Sequence, residues 1–515
     1  MDTNSSQPQN SQSATDFIKS LREVNSETPT KVKDVESKKT SGAAKFKLII
    51  IFSIAGVVIL GVGILLLQIL FPSGKTSSST SSTANSATNY VAPDLNVTAT
   101  LRIWGMWETD EDFQAVIDQF NQKYPNVKVE YSDREINDNH EPAKYKAELT
   151  QRILDSGSNT APDIFMIQNN WTDSFVKYMK PIPTGVYSAA DYKNIFYQTF
   201  TDNFKGYDSN LYSVPMSFDG LGLYYNKTLL KAKGYTVPAS DWEGFRTQVK
   251  NLSSRDKDGN IIVAGVAAGS MNNVTFGFDF LNLLLLQNNA QIVQTSVKSS
   301  VLTRNYNLEN GELGAQALKF YNDLAFENKS WDANQPSDVR LFAEGKLAFL
   351  FAPAWRADGI KKSNGLLDFD VAPVPQLPNL PLGTRKDLAN YWGLSVSKAA
   401  KNENIAWTFI KFFSEKDGYR ALYNKTSNSR FISQIYPRRD MASELDGVPY
   451  VGAFLKMADS ATTYSMYDRE NIEAIFRKVI GTGLSSGTQS LSIGTAQDAL
   501  KTIDTQLNTD LTTFK

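Results

Sequence analysis

Eight tryptophans are spread along this chain, and five of them sit where the sequence pattern predicts strand ends. Trp104 and Trp107 follow a first strand that begins near Val97. Trp171 follows a strand at residues 163–167. Trp355 ends the apolar run 347–351, and Trp392 opens the run 392–396. Beside them stand Glu108, Asn169, Asn170, Asp219 and Arg356. Indole rings offer flat apolar faces, while carboxylates, amides and a guanidinium offer directed hydrogen bonds, the charged ones stronger. A carbohydrate needs both, because it has a face of C–H groups and an edge of hydroxyls. A single large aromatic is more often core than platform. Five at strand ends, far apart in sequence, favour several of them lining one cleft. The other three read as structural or undefined: Trp242 follows Ser240-Asp241 at a helix start, Trp407 lies on an amphipathic helix, and Trp331 has no clear context.

Composition removes other chemistries. The chain has no Cys and one His, His140. That excludes disulfides, thiol nucleophiles and Cys-ligated metal sites. His140 lies in the loop-like run 137–142 and reads as a surface residue. No catalytic residue and no cofactor is expected. Asp256-Lys257-Asp258-Gly259-Asn260 opens like a calcium loop, but position 12 is Ala267 rather than Glu. Asp258-Gly259 instead predicts a hairpin turn. The net charge is −1, and residues 1–47 carry 8 basic and 6 acidic side chains, leaving 45 and 48 for the rest. No basic face marks a nucleic-acid partner.

The elements that must position the candidate residues alternate between strand and helix, which predicts an α/β fold. Val97, Ala99, Leu101 and Ile103 alternate with period two. Phe113, Val116, Ile117 and Phe120 then share a helix face, with Thr109 as N-cap and Asp110-Glu111-Asp112 in the first turn. Tyr124-Pro125 ends that helix. Val127, Val129 and Tyr131 predict a strand, Tyr145, Leu149 and Ile153 a helix face, and residues 163–167 a third strand. Ligands on such open sheets meet the loops at the carboxyl ends of the strands.

The N-terminal hundred residues have a different character. Residues 48–71 carry no charge and only two polar side chains, Ser53 and Gln68. At ~1.5 Å per residue this run crosses a ~30 Å hydrocarbon layer as a helix. Lys38, Lys39, Lys45 and Lys47 precede it, and Lys75 is the single cation between Phe71 and Arg102. The positive-inside rule then predicts a single-pass membrane protein with a cytoplasmic N-terminus and an extracellular domain. The alternative, a cleaved signal peptide, fits less well with so long an apolar run and so long a preceding tail. The organisation expected is a disordered tail at 1–47, a transmembrane helix at 48–71, a Ser/Thr-rich linker at 72–96 and a domain at 97–515, too large for one core. As a flexible coil the 25-residue linker reaches about 25–30 Å.

Several segments together carry a family resemblance. They are Leu101-Arg102-Ile103-Trp104 with the helix after it, Ala161-Pro162-Asp163-Ile164, and Tyr212-Ser213-Val214-Pro215-Met216 running into Leu223-Tyr224-Tyr225-Asn226-Lys227. Further on come Phe342-Ala343-Glu344-Gly345-Lys346, Ala354-Trp355 and Trp392-Gly393-Leu394. In order and spacing, from about 97 to 515, the chain resembles the family 1 extracellular solute-binding proteins of ATP-binding-cassette (ABC) importers, the maltose-binding-protein-like type. The resemblance implies a two-lobe periplasmic-binding-protein-like fold (type II) that closes on a ligand. Lobe one would be about 97–216 and 394–456, and lobe two about 221–390 and 467–515. Chain crossings are expected near 216–220, 391–393 and 458–467. It also implies a carbohydrate ligand, ABC permease subunits as partners and no enzymatic activity. Other solutes (polyamine, polyol, ferric ion), a surface sensor and a cell-surface glycoside hydrolase using Glu108 and Asp219 are the alternatives. Tyr224-Tyr225 resembles the tyrosine pair of ferric-ion binders, although a strand position explains it as well. The predicted membrane helix departs from relatives that are lipoproteins or free periplasmic proteins.

Overall fold

A computed structural model of the chain describes residues 90–134, 141–155, 160–294, 298–303, 313–377, 382–483 and 490–514. The apolar run 48–71, the tail before it and His140 lie outside the described residues. Among the described residues no helix is long and apolar enough to cross a membrane.

The chain enters through Tyr90, whose hydroxyl meets Thr408 Oγ1 at 3.1 Å with the Lys411 ammonium 5.8 Å from its ring. Strand β1 (Ala99–Gly105) follows, then helix α1 (Asp110–Lys123). As predicted, Thr109 caps α1, its Oγ1 accepting from Asp112 N at 3.0 Å. The three acids of the first turn lie at the positive end of the helix dipole. Phe113, Val116, Ile117 and Phe120 are buried, and Phe113 stacks on Tyr131 with ring centres 4.2 Å apart. Strand β2 (Val127–Asp133), helix α2 (Pro142–Leu154) and strand β3 (Ile164–Gln168) complete the opening. All five residues of β3 are buried, as suits the central strand of an open sheet.

Strand β4 (Ser213–Pro215) belongs to this first sheet, and β5 (Leu221–Asn226) to a second. The second lobe continues with α3 (Trp242–Leu252), β6 (Ser254–Arg255), β7 (Ile261–Val266) and α4 (Gly277–Gln287). After them come α5 (Asp338–Ala343), β8 (Leu347–Pro353), α6 (Arg356–Ser363) and β9 (Phe369–Ala372). The turn between β6 and β7 is the predicted hairpin: Gly259 has φ +89° and Asp256 accepts from the N–H groups of Asp258 and Asn260. Trp242 is core, packed beside the stacked pair Phe280 and Phe351 with ring centres 6.1 Å from each, and its Nε1 donates to Gln287 at 2.7 Å.

The short β10 (Asp387–Leu388) leads into β11 (Trp392–Val396), which returns to the first sheet. Helix α7 (Glu403–Phe413) covers that sheet, and α8 (Lys416–Thr426) packs against α1 and α7. Then come α9 (Val451–Met457), β12 (Ala461–Thr462), α10 (Arg469–Gly483) and α11 (Ile493–Leu511). The sequence places residues up to 456 with the first lobe, whereas α9 packs against β9 of the second sheet.

The first sheet has the order β2-β1-β3-β11-β4 and the second β9-β5-β8-β7-β6. Three segments pass between them and bond to one another. The first, after β4, pairs Gly220 with Ala389 of the second, and Asn390 N donates to Asp219 O at 3.1 Å. The second is tied to the third by the parallel pair β10–β12. Gly220 is required here, because a Cβ would lie 2.5 Å from the Leu388 carbonyl oxygen. The second crossing sits slightly earlier than the sequence suggests: Trp392 and Gly393 already belong to β11.

Candidate ligand-binding cleft

Strand β1 ends in a turn that carries two candidate residues. Trp104 is expected just beyond β1 but lies within it, because pairing with β2 continues to Gly105↔Asp133. Trp104 is largely buried and the Arg134 guanidinium lies 4.6 Å from its ring centre. Gly105 leaves room for Tyr131, whose ring would collide with any Cβ there. The Tyr131 hydroxyl donates to Glu108 O at 2.9 Å. Trp107 adopts φ +74°, a left-handed conformation costing a non-glycine residue about 1–3 kcal/mol. What holds it is Arg430, which bonds the Trp107 carbonyl oxygen and pairs with the buried Glu108 carboxylate at 3.0 Å. Gln434 also donates to Glu108. The Glu108 side chain therefore anchors the turn.

Strand β3 ends in Asn169, Asn170 and Trp171, a single tight helical turn. Trp171 is fully buried, and its Nε1 donates to Glu470 at 3.0 Å. Lys146 lies 5.1 Å from its ring centre and meets Tyr467 O at 2.9 Å. Asn169 Oδ1 accepts from Tyr391 N at 3.2 Å, and its amide donates to Asn203. Asn170 uses its backbone oxygen to hold Met466 N at 3.0 Å.

Trp392 opens β11, which runs antiparallel to β3, so it lies opposite Gln168 at the same edge. Its ring meets Trp171 edge-on at 5.2 Å and Trp107 at 5.8 Å. Trp107 and Trp392 are both half-buried. Trp171 thus supports Trp392 from beneath, and Trp107 and Trp392 carry the accessible ring surface.

The second lobe contributes its own group. Trp355 follows β8 and is 54% exposed. Phe276 stands edge-on to it at 5.9 Å, and the Arg356 guanidinium lies 4.4 Å from its ring centre. Asp219 connects the two groups. Its carboxylate accepts from Gly220 N at 2.6 Å and Ala354 N at 2.9 Å, while its backbone oxygen holds Asn390. Asn390 Oδ1 in turn accepts from Gln168 Nε2 at 3.0 Å. Burial pushes the Asp219 carboxyl up to about 7, opposed by the N–H groups of Ala354, Gly220 and Trp355.

Several buried polar atoms here have no hydrogen-bond partner among the described residues: Trp107 Nε1, Gln168 Oε1 and Asn170 Oδ1 on the first lobe, and Arg356 Nε on the second. Buried polar groups are normally satisfied. Two donors and two acceptors suit a ligand whose hydroxyls both donate and accept.

The two carboxylates that the glycoside hydrolase alternative would use have other partners: Glu108 its ion pair with Arg430, Asp219 the N–H groups of Gly220 and Ala354. Tyr224 and Tyr225 lie in β5, and the buried Tyr224 hydroxyl donates to Pro353 O at 2.7 Å. Among the described residues no cluster of acidic or histidine side chains could hold a metal ion. Sequence reasoning missed Phe276, Gln168, Asn390, Arg430 and Gln434. Phe276 lies in the segment beyond β7, the same kind of strand-end position as the tryptophans.

The model of the bacterial extracellular solute-binding protein family matches residues 107–420. The chain belongs to this family. It is 23% identical over 316 residues to a binding protein of Brucella abortus, covering 57% of this chain and 67% of that one. It is 24% identical over 225 residues to the multiple sugar-binding protein of Streptococcus mutans, covering 42% of this chain and 50% of that one. Among solved structures, the sugar-binding protein MalE from Xanthomonas citri superposes with a TM-score of 0.62 at 17% identity, over 80% of this chain and 98% of that one. An ABC substrate-binding protein from Listeria monocytogenes in complex with cycloalternan gives 0.60 at 16%, over 81% and 100%. The fold is thus the two-lobe α/β architecture of periplasmic binding proteins.

Proposed function

We propose that this protein is a membrane-tethered extracellular receptor that binds a sugar or oligosaccharide between its lobes and delivers it to an ABC permease. The observation that carries the reading is the pair of aromatic groups at the two lobes' strand ends, Trp107 with Trp392 and Trp355 with Phe276, linked through Asp219 at the crossing. Trp107, Trp392 and Trp355 would stack on sugar rings. Asn170, Gln168 and Arg356 would bond hydroxyls, and Trp104, Glu108, Asn169 and Trp171 would hold the platform. Support for a sugar also comes from its similarity to the multiple sugar-binding protein of Streptococcus mutans and the sugar-binding protein MalE of Xanthomonas citri. The tether rests on the sequence of residues 48–71.

A thermal-shift screen of the full-length protein against sugars, polyols, polyamines and ferric ion tests the ligand class. A ligand at ~100 times its dissociation constant raises stability by about 2.7 kcal/mol. A saturable shift with a sugar, without turnover, supports the reading; a shift only with ferric ion or a polyamine overturns it. Trp355→Ala should weaken sugar binding by about 2 kcal/mol, roughly 30-fold. The unliganded melting temperature should change little, since the ring is half exposed. Unchanged affinity would remove Trp355 from the site. In the native host, the protein should stay in the membrane after high-salt washing. Recovery of a soluble form beginning near Thr88 would show a cleaved leader instead.

A further inference from the structure

Beside Trp355, a pocket of about 340 Å³ opens between α5 and α6 of the second lobe. Its polar lining comes from Thr275, Ser337, Arg340, Arg356 and Ser363. The two arginines differ. Arg340 is exposed on the protein surface and paired with Glu344 at 2.8 Å. The Arg356 guanidinium, partly buried, makes no hydrogen bond and no ion pair among the described residues; its neighbours are the rings of Trp355 and Phe276, 4.4 and 5.5 Å away.

The acids nearby have other partners. Asp338 accepts from Thr275 Oγ1 at 2.6 Å, Thr275 N at 3.0 Å and Val339 N at 2.8 Å. Asp358 pairs with Lys362 at 2.7 Å and accepts from Phe431 N at 2.8 Å. Glu344 takes Arg340 and Lys346. Burying a cation without a counter-ion is costly, and Arg356 Nε is a buried donor with no hydrogen-bond partner among the described residues. Burial accordingly lowers the Arg356 pKa, with Asp338 opposing.

We propose that this pocket receives an anionic substituent of the bound sugar, so that the receptor selects an acidic saccharide over its neutral counterpart. This deepens the sugar-receptor reading and rests on it. The guanidinium fork bonds a carboxylate or phosphate with two parallel N–H donors. The hydroxyls of Ser337 and Ser363 offer further donors. The sugar ring bearing the anion then stacks on Trp355, at whose ring Arg356 already lies.

The test uses the full-length protein and probes paired so that charge is the main difference: digalacturonate against its dimethyl ester, glucuronate against glucose, and glucose 6-phosphate against glucose. Calorimetry should show the acidic member binding about tenfold or more tightly, with the preference shrinking as salt rises. The carboxylate and phosphate arms distinguish the two anions. Arg356→Gln should bring the acidic probe down to the affinity of its neutral partner, and Arg356→Lys should retain part of the preference. Unliganded Arg356→Gln should melt at the wild-type temperature or above it, because an uncompensated cation is gone. Neutral members binding as tightly as acidic ones would overturn the inference and leave the sugar receptor standing. A preference that survives Arg356→Gln would also overturn it. Binding of neither member in any pair would remove both.

Discussion

Arg430 reaches the Trp107–Glu108 turn from 322 residues further along the chain, and its replacement by Met tests the account of the platform. Glu108 is 1% exposed. Arg430 stands 3.0 Å from Glu108 Oε2, 3.3 Å from Oε1 and 3.7 Å from Asp112, and also bonds the Trp107 carbonyl oxygen. Arg430→Met takes the cation from beside a buried carboxylate, a loss of about 3–5 kcal/mol. Unfolding entropy near 2.1 cal/mol/K per residue, over ~420 residues, converts this to a fall of about 3–6 °C in melting temperature. Glu108→Gln in the same chain should return more than half of that loss, a coupling of at least about 2 kcal/mol. Melting curves on the wild type, both single variants and the double variant give the cycle. Sugar affinity on the same samples should fall in Arg430→Met, because Trp107 loses the contact holding its left-handed conformation. An Arg430→Met protein melting within about 1 °C of wild type would refute the reasoning, as would a double variant with the summed loss of the singles.

Two further expectations concern the crossings. Burial raises Asp219 to about 7 and Asp387 to about 6. The folded state therefore keeps protons that the unfolded chain releases, so their contribution is most favourable at low pH and is lost as pH climbs from about 4 to 7. Melting temperature should fall from pH 5 to pH 8, and Asp219→Asn should flatten that slope; an unaltered slope would show that Asp219 does not titrate there. Gly220→Ala should cost at least about 1–3 kcal/mol, since the Leu388 carbonyl it strikes is backbone and cannot move aside. Small-angle scattering at saturating sugar would show whether it also impairs lobe closure. Gly452→Ala, with open space around the added carbon, is the control and should melt at or above wild type.

Local patterns made the first lobe's opening readable. Thr109, the acid turn after it and the i, i+3, i+4, i+7 apolar set gave α1, and period-two alternation gave β1 and β2. The strand ends bearing tryptophan followed from those elements. Sequence could not separate platform from prop: Trp171 and Trp392 carry the same local signal, yet one is buried beneath the other because β11 runs antiparallel beside β3. Arg430 and Gln434 were invisible for a different reason. They act on Glu108 across more than 300 residues, and nothing in Ser429-Arg430-Phe431 marks a partner. Trp104 was misplaced by about two residues because β2 extends the pairing past the alternation.

Tyr90 has a mechanical consequence. It fastens the chain to α7 on the first lobe, seven residues short of Val97. If residues 48–71 anchor the protein, as their sequence predicts, the first described residue met on the way from the anchor is Tyr90. That residue is fixed to the first lobe. The first lobe would then be the half moored to the bilayer, and the second lobe, carrying Trp355 and the Arg356 pocket, the half that would swing in a closure on ligand.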